Sequence, residues 1–180
     1  MQLPRKTRRL VVVVHSVASS VWLGLTVGLL ALGIKAYTSG SPDIVAFAYR
    51  AMGVFGEYLL IPVALLTLIS GVVLSLGTPW GLIQYKWVAW KFVLTLITVG
   101  LVTFSLTPGL SDAADAAVAG TAVPNPDLIV APIVASTTYI FMLALSILKP
   151  WGLTPHGRRV KAAQVAKAKA ARGRRVGAGA

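Results

Sequence analysis

Two titratable side chains stand inside otherwise apolar runs. His15 lies in "VVVVHSVASSVWLG" and Lys91 in "KWVAWKFVLTL". His15 is five residues past Leu10, where the first apolar run begins. At the helical rise this is about 7 Å in. Lys91 is four residues past Trp87, which starts the third run, so about 6 Å in. An imidazole at that depth needs partners for both ring nitrogens. Ionisable residues within spans usually face the bundle interior or a cavity, and they mark functional sites. The plainer alternative makes His15 a histidine bonded to a serine or a backbone carbonyl. It likewise lets Lys91 reach along its own stem to the interface and do nothing else. Trp22, seven residues after His15, falls on the same side of the helix together with Ala18 and Ser19.

Two further sets carry structural meaning. Arg50 and Glu57 are seven residues apart, hence on one helical face but too far apart axially to pair directly. Lys35 is another possible partner for Glu57. A buried carboxylate requires a nearby charge or several donors, so Arg50, Glu57 and Lys35 read as a polar network pinning spans one and two near the outer surface. Ser16, Ser20, Gly24 and Gly28 recur every four residues. A stripe of small residues lets helices approach closely where lipid gives no hydrophobic drive. Packing within the bundle is the first reading, and a homodimer or a membrane-protein partner the second.

These residues need apolar helices to position them. The 180-residue chain is 56% hydrophobic, with runs of membrane-span length. Four spans are expected, at about residues 10–34, 54–76, 87–106 and 128–148. The second could begin earlier, near Ile44, and Pro62 would kink it. The separators hold Gly, Pro, Ser and acids and read as loops, including "TPGLSDAADAAVAGTAVPNPD". The fold class is all-α: a polytopic membrane four-helix bundle over residues 1–154, followed by a basic tail, 155–180. The first apolar run is too long for a signal core and is read as a retained span.

Basic residues outnumber acids 17 to 5. They concentrate in "RKTRR", in Lys86 and in the tail, while the third loop holds only acids. The positive-inside rule then places both termini and the second loop in the cytoplasm, in a bacterial inner (plasma) membrane protein. The tail has little apolar content and reads as disordered, or as a surface helix when bound to anionic lipid. It lacks aromatics to stack bases, which speaks against nucleic acid. With no cysteine and two histidines, disulfides, thiolate sites and an all-protein zinc site drop out. No nucleophile–His–acid set can be drawn for hydrolytic chemistry.

"HSVASSVWLG", "FGEYLLIPVALLTLISGVVLSLGTPWG", "WVAWKFVLTL" and "KPWGLTPHGRR" resemble stretches of an uncharacterised family of bacterial four-span membrane proteins, a domain of unknown function. That family is distantly similar to the haem-containing membrane protoporphyrinogen oxidases (HemJ type) and to the CopD copper-resistance family. In the oxidases a first-span histidine and a lysine opening the third span are the residues of interest. His15 and Lys91 match them in spacing and context, and Glu57 matches a second-span glutamate. Tyr58 and Leu59 stand where the oxidases carry arginines.

The resemblance implies haem b, with His15 as axial ligand to the iron and Lys91 and Trp22 at the cofactor. A copper role fits poorly, because Cu(I) prefers thiolate and thioether ligands and the chain has only three methionines. A transport path would show broken helices or midplane charges. The alternative to a haem protein is a non-enzymatic accessory subunit or scaffold whose basic tail contacts lipid or a partner.

Overall fold

The computed structural model describes residues 3–177. Four helical rods are long and apolar enough to cross a membrane: Arg5–Thr38, Pro42–Gly77, Lys86–Val118 and Asp127–Leu148. The first is α1 (Arg5–Thr38). The second is α2 (Pro42–Phe55), a π-helical stretch Gly56–Leu60, and α3 (Ile61–Gly77). The third repeats that plan with α4 (Lys86–Leu101), a π stretch Val102–Leu106, and α5 (Thr107–Val118). The fourth is α6 (Asp127–Leu148). Their outer surfaces are studded with exposed large apolar side chains, among them Phe47, Leu76, Phe104 and Ile147. Such a surface suits acyl chains, and helices keep every backbone bond internal there. This is an all-α, four-span integral membrane bundle.

Span two takes the earlier of its two expected starts, beginning at Pro42 near Ile44, and span three runs beyond the expected end at residue 106, to Val118. Pro42 opens α2 at its first turn with Asp43 beside it, favourable choices for a helix start. The stretch "TPGLSDAADAAV" is helix α5, not loop. Alanine is the best helix former, and α2 supplies a surface for α5 to pack on. Leu110 of α5 is fully buried against Gly56, and Ala114 meets Gly53.

The two π stretches share a cause. Pro62 and Pro108 each follow the first residue of their stretch, Gly56 and Val102, by six positions. A proline offers no N–H to the carbonyl one turn back. The wider turn takes up the interrupted ladder, as π-bulges do, so both rods stay continuous.

The core runs along one stripe of α1: Ala18, Trp22, Thr26, Leu29, Gly33 and Ala36 are buried. The spacing of three and four is that of one helical face. This face meets α2 and α3 on one side and α6 on the other. At Gly33 the α6 backbone comes so near that a Cβ would stand 2.6 Å from the Leu128 carbonyl oxygen, so only glycine fits.

The stripe of Ser16, Ser20, Gly24 and Gly28 is elsewhere. Ser16, Ser20 and Gly24 are exposed, and a Cβ built at Gly24 or Gly28 meets nothing within 4 Å. The expected packing of this stripe inside the bundle is therefore corrected. The close approaches use Gly33, Gly53 and Gly56, because the hydrophobic periodicity turns those residues, and not the small stripe, toward the core.

The expected polar network also separates. Arg50 Nη2 donates to the Ala117 carbonyl at 3.0 Å, tying α2 to the last turn of α5, where a cation suits the helix dipole. Lys35 and Glu57 are exposed, and no ion pair joins the three among the described residues. Glu57 sits in the π stretch, fifteen residues from Pro42, so about 22 Å along the rod from its start.

Beyond span four the chain turns through two non-glycine residues with positive φ, Lys149 (46°) and Trp151 (63°). It then pairs with the second loop. Lys86 N–H donates to the Gly152 carbonyl, Thr154 N–H donates to the Gln84 carbonyl, and Tyr85 and Leu153 form an antiparallel bridge. Thr154 Oγ1 caps a further helix, α7 (Pro155–Gly177), accepting from Gly157 N–H at 3.0 Å. Pro155 follows the cap at the favoured first position. The tail, expected to be disordered or a surface helix, is helical through Gly177. Residues 178–180 and 1–2, which the expected tail and bundle include, lie outside the described residues.

Candidate functional site

His15 extends the buried stripe of α1 by one step, three residues before Ala18, and so faces α3. There the sequence "TLISG" presents Thr67, Ser70 and Gly71 on one side of the helix. His15 Nδ1 is 3.1 Å from the Thr67 carbonyl oxygen and 3.0 Å from Ser70 Oγ. A carbonyl can only accept, so Nδ1 carries the proton. Ser70 agrees: its hydroxyl donates to the Leu66 carbonyl at 2.6 Å, leaving the oxygen free to accept from the ring. In the neutral imidazole Nε2 then holds a lone pair, and it makes no hydrogen bond among the described residues. The plainer reading of His15, a histidine bonded to a serine or a backbone carbonyl, is realised at Nδ1 with both, while the other ring nitrogen stays available.

Lys91, one turn into α4, is half-buried and does not extend to solvent as its only role. Its ammonium donates to Ser146 Oγ on α6, and that hydroxyl in turn donates to the Met142 carbonyl at 3.0 Å. Ser146 thus holds α4 and α6 together through the charge.

Both side chains border the same cavity, of about 440 Å³, at the end of the bundle that carries Arg5, Lys6, Lys86 and Lys149. Leu68, Val72, Val88 and Phe92 give it apolar walls. Among the described residues, Arg8, His15, Lys91 and Lys149 are its titratable groups and no carboxylate lines it. Low-dielectric walls with charge of one sign concentrate the field, so the cavity favours an anion with an apolar body. Its mouth is aromatic: Trp80 packs edge-on to Tyr85 and Trp87, with centroids 5.0 and 5.5 Å away. Lys149 Nζ stands 5.0 Å over the Trp80 ring, within cation–π range.

A second void of about 240 Å³ adjoins the first, between α1 and α6. His15, Lys91, Thr67, Thr95 and Ser146 border both. Trp22 belongs to this second space, not the first, stacked on Tyr139 with centroids 4.5 Å apart. All three residues expected at a common site border this second void, and His15 and Lys91 border the first cavity as well.

Sequence reasoning did not single out Thr67, Ser70, Gly71, Tyr139 or Ser146. The signal for the first three was present as polar and small residues spaced three and four apart in an apolar run. Ser146 gave no such signal as a lone hydroxyl, and Tyr139 closes the run Ser136, Thr137, Thr138, Tyr139, in which spacing alone does not say which hydroxyl faces inward.

Among the described residues no cluster of three or more His, Cys, Asp or Glu could hold a bare metal ion. A metal at His15 would have to arrive inside its own organic ligand. The donor set suits that case. An imidazole that gives its Nδ1 proton to a carbonyl is the usual outer-shell arrangement of a metal-binding histidine, and three cations border the same space.

Comparison with known proteins gives one match. The profile of the family described as "Predicted integral membrane protein (DUF2269)" matches residues 9–150. No curated protein and no solved structure matches the chain, so the distant likeness to protoporphyrinogen oxidases and the copper-resistance family gains no support there.

Proposed function

The chain belongs to the DUF2269 family of integral membrane proteins, and from that premise we propose a binding function for the cavity at its basic end. The ligand class is a flat, largely apolar molecule carrying acid groups, and haem b is the member to test. His15 Nε2 would hold the iron, while Arg8, Lys91 and Lys149 would neutralise the propionates. Bound haem would supply one-electron chemistry. The protein's part is to fix the imidazole, exclude water and compensate charge. One observation carries this reading: a histidine anchored through Nδ1 leaves its other nitrogen free at a cavity without carboxylates. Met142 Sδ, in the adjoining space, accepts from Thr95 Oγ1 at 3.5 Å, so His15 is the residue that would hold the group.

The positive-inside rule supports placing this end in the cytoplasm of a bacterial inner membrane, where α7 would lie against anionic lipid. The test is the visible spectrum of the full chain purified from haem-replete cells, oxidised and reduced. A Soret band is expected, lost in His15→Ala and kept in His156→Ala, whose side chain is exposed on α7. A folded, colourless protein that stays colourless with added haemin ends the haem reading.

A second reading, an accessory subunit or scaffold, is favoured by two outward features. The Gly24–Gly28 surface is open, and Glu57 faces outward from the interior of span two. A carboxylate there is costly unless it is covered or protonated. Native mass spectrometry in lipid nanodiscs tests this: a dimer or complex that Gly24→Leu dissociates supports assembly, and a monomer throughout removes it.

A further inference from the structure

The void between α1 and α6 has a chemistry of its own. No hydrogen bond of acceptable geometry reaches Trp22 Nε1, Thr67 Oγ1 or Tyr139 Oη. All three residues line this void, and they are only 2%, 7% and 7% exposed. An indole N–H is a donor and nothing else, and a phenol donates as readily. Tyr139 Oη lies near Trp22 Nε1 and Thr26 Oγ1, but none of these contacts has good hydrogen-bond geometry. Buried donors of this kind find well-aligned partners in folded proteins, so an acceptor inside the void would complete the set.

The void opens sideways. Ser16 and Ser20 on α1 and Leu143 on α6 line it and are also exposed on the bundle surface. That surface faces acyl chains, so the occupant reaches it from the lipid. Trp22 is twelve residues past Leu10, about 18 Å along the helix and near the middle of a ~30 Å hydrocarbon layer. Phospholipid ester carbonyls sit at the headgroup boundary, far from that level. The occupant therefore carries its acceptor into the bilayer interior. Size narrows it further. An apolar cavity of roughly 150 Å³ holds benzene, and this one is about 240 Å³, room for one substituted ring beside the Trp22–Tyr139 pair.

We propose that the void between α1 and α6 is a lateral site for a lipid-soluble ring carbonyl compound of the quinone class, held by hydrogen bonds from Trp22 Nε1 and Tyr139 Oη. The site does not depend on His15 holding iron. His15 and Lys91 border both spaces, but the donors of this site, Trp22 Nε1 and Tyr139 Oη, belong to residues that do not line the first cavity.

Photolabelling tests it. The full chain in phosphatidylcholine nanodiscs is exposed to an azido-ubiquinone of short side chain, and the labelled peptides are mapped by mass spectrometry. The expected label falls on residues 15–23 and 136–146, and decyl-ubiquinone displaces it saturably. Tyr139→Phe weakens that displacement about three- to tenfold, the size of one net hydrogen bond. Ser20→Leu, which closes the lateral opening, abolishes it, and Gly24→Ala on the open surface leaves it unchanged. If Ser20→Leu does not fold, Tyr139→Phe decides alone. Label spread over all four spans, or displacement indifferent to Tyr139→Phe, overturns the site. Equal displacement by dioleoylglycerol assigns the donors to ester lipid and overturns the quinone assignment.

Discussion

The imidazole of His15 lies against the bare Cα of Gly71, where a Cβ would stand 3.1 Å from Cε1 and 3.6 Å from Nδ1. The ring position is therefore set twice, by the hydrogen bonds of Nδ1 and by the absence of a side chain on the facing helix. Anything added at position 71 must move the ring without touching its chemistry.

Gly71→Ala should thus act as a positioning change. The tight contact calls for a shift of a few tenths of an ångström, and overpacking of this kind costs roughly 1–3 kcal/mol. Gly71→Val should cost more, because two further methyl groups enter the ring's space. The measurement is thermal unfolding in detergent alongside ligand affinity at the basic-end cavity. An alanine variant with unchanged stability and affinity would show that the ring has slack here.

The proton location on His15 is directly measurable. Neutral imidazole should carry its proton on Nδ1, giving a pyrrole-type ¹⁵N shift for Nδ1 and a pyridine-type shift for Nε2 in histidine-labelled protein. His156 in α7 serves as the second resonance, assigned by its own substitution. Ser70→Ala should keep this tautomer, since the Thr67 carbonyl remains, and cost about 1 kcal/mol for one lost hydrogen bond. The opposite tautomer in the unsubstituted protein would remove the argument that Nε2 is free to bind a ligand.

Much of this arrangement was readable from the residues. The depth match between His15 and Lys91 follows from counting from the span starts, and counting survives because the helices are regular at that end. The far end was less legible. "TPGLSDAADAAV" looks like loop because its Pro, Gly and acids are read locally, whereas the helix is held by Leu110 and Ala114 packing on α2. The small-residue stripe misled for the same reason. Gly24 and Gly28 show that close approach is allowed, not that a neighbour takes it. The actual contacts at Gly33, Gly53 and Gly56 depend on which helix lies opposite, and periodicity within one helix does not carry that.

The link between the second loop and α7 makes a further prediction. Gly157 is buried, and a Cβ there would run into the Gln84 backbone, with the Gln84 carbonyl carbon 2.9 Å away. Backbone cannot step aside as a side-chain tip can, so Gly157→Ala should separate the start of α7 from the loop. The expected cost is roughly 1–3 kcal/mol, with loss of the Thr154 pairing. Limited trypsin digestion reads this out. Cleavage at Arg158 and Arg159 should become several-fold faster in Gly157→Ala than in the unsubstituted chain. Equal rates would mean that the pairing does not restrain the tail.

Orientation can be read by cysteine labelling, because the chain has no cysteine of its own. Val123, 70% exposed, lies between α5 and α6 at the acidic end. Lys161 is exposed on α7 beyond the basic end. If the basic end faces the cytoplasm, a membrane-impermeant maleimide applied to spheroplasts should label Val123→Cys and spare Lys161→Cys until the membrane is opened. The distribution of charge argues for this sign. Arg5, Lys6, Arg8, Arg9 and Lys86 flank the spans on one side, while Asp112, Asp115 and Asp127 lie on the other. The reverse pattern would turn the cavity of His15 and Lys91 toward the outside. Its cations would then meet anionic ligands from that compartment, and the placement of α7 on the anionic inner leaflet would fail with it.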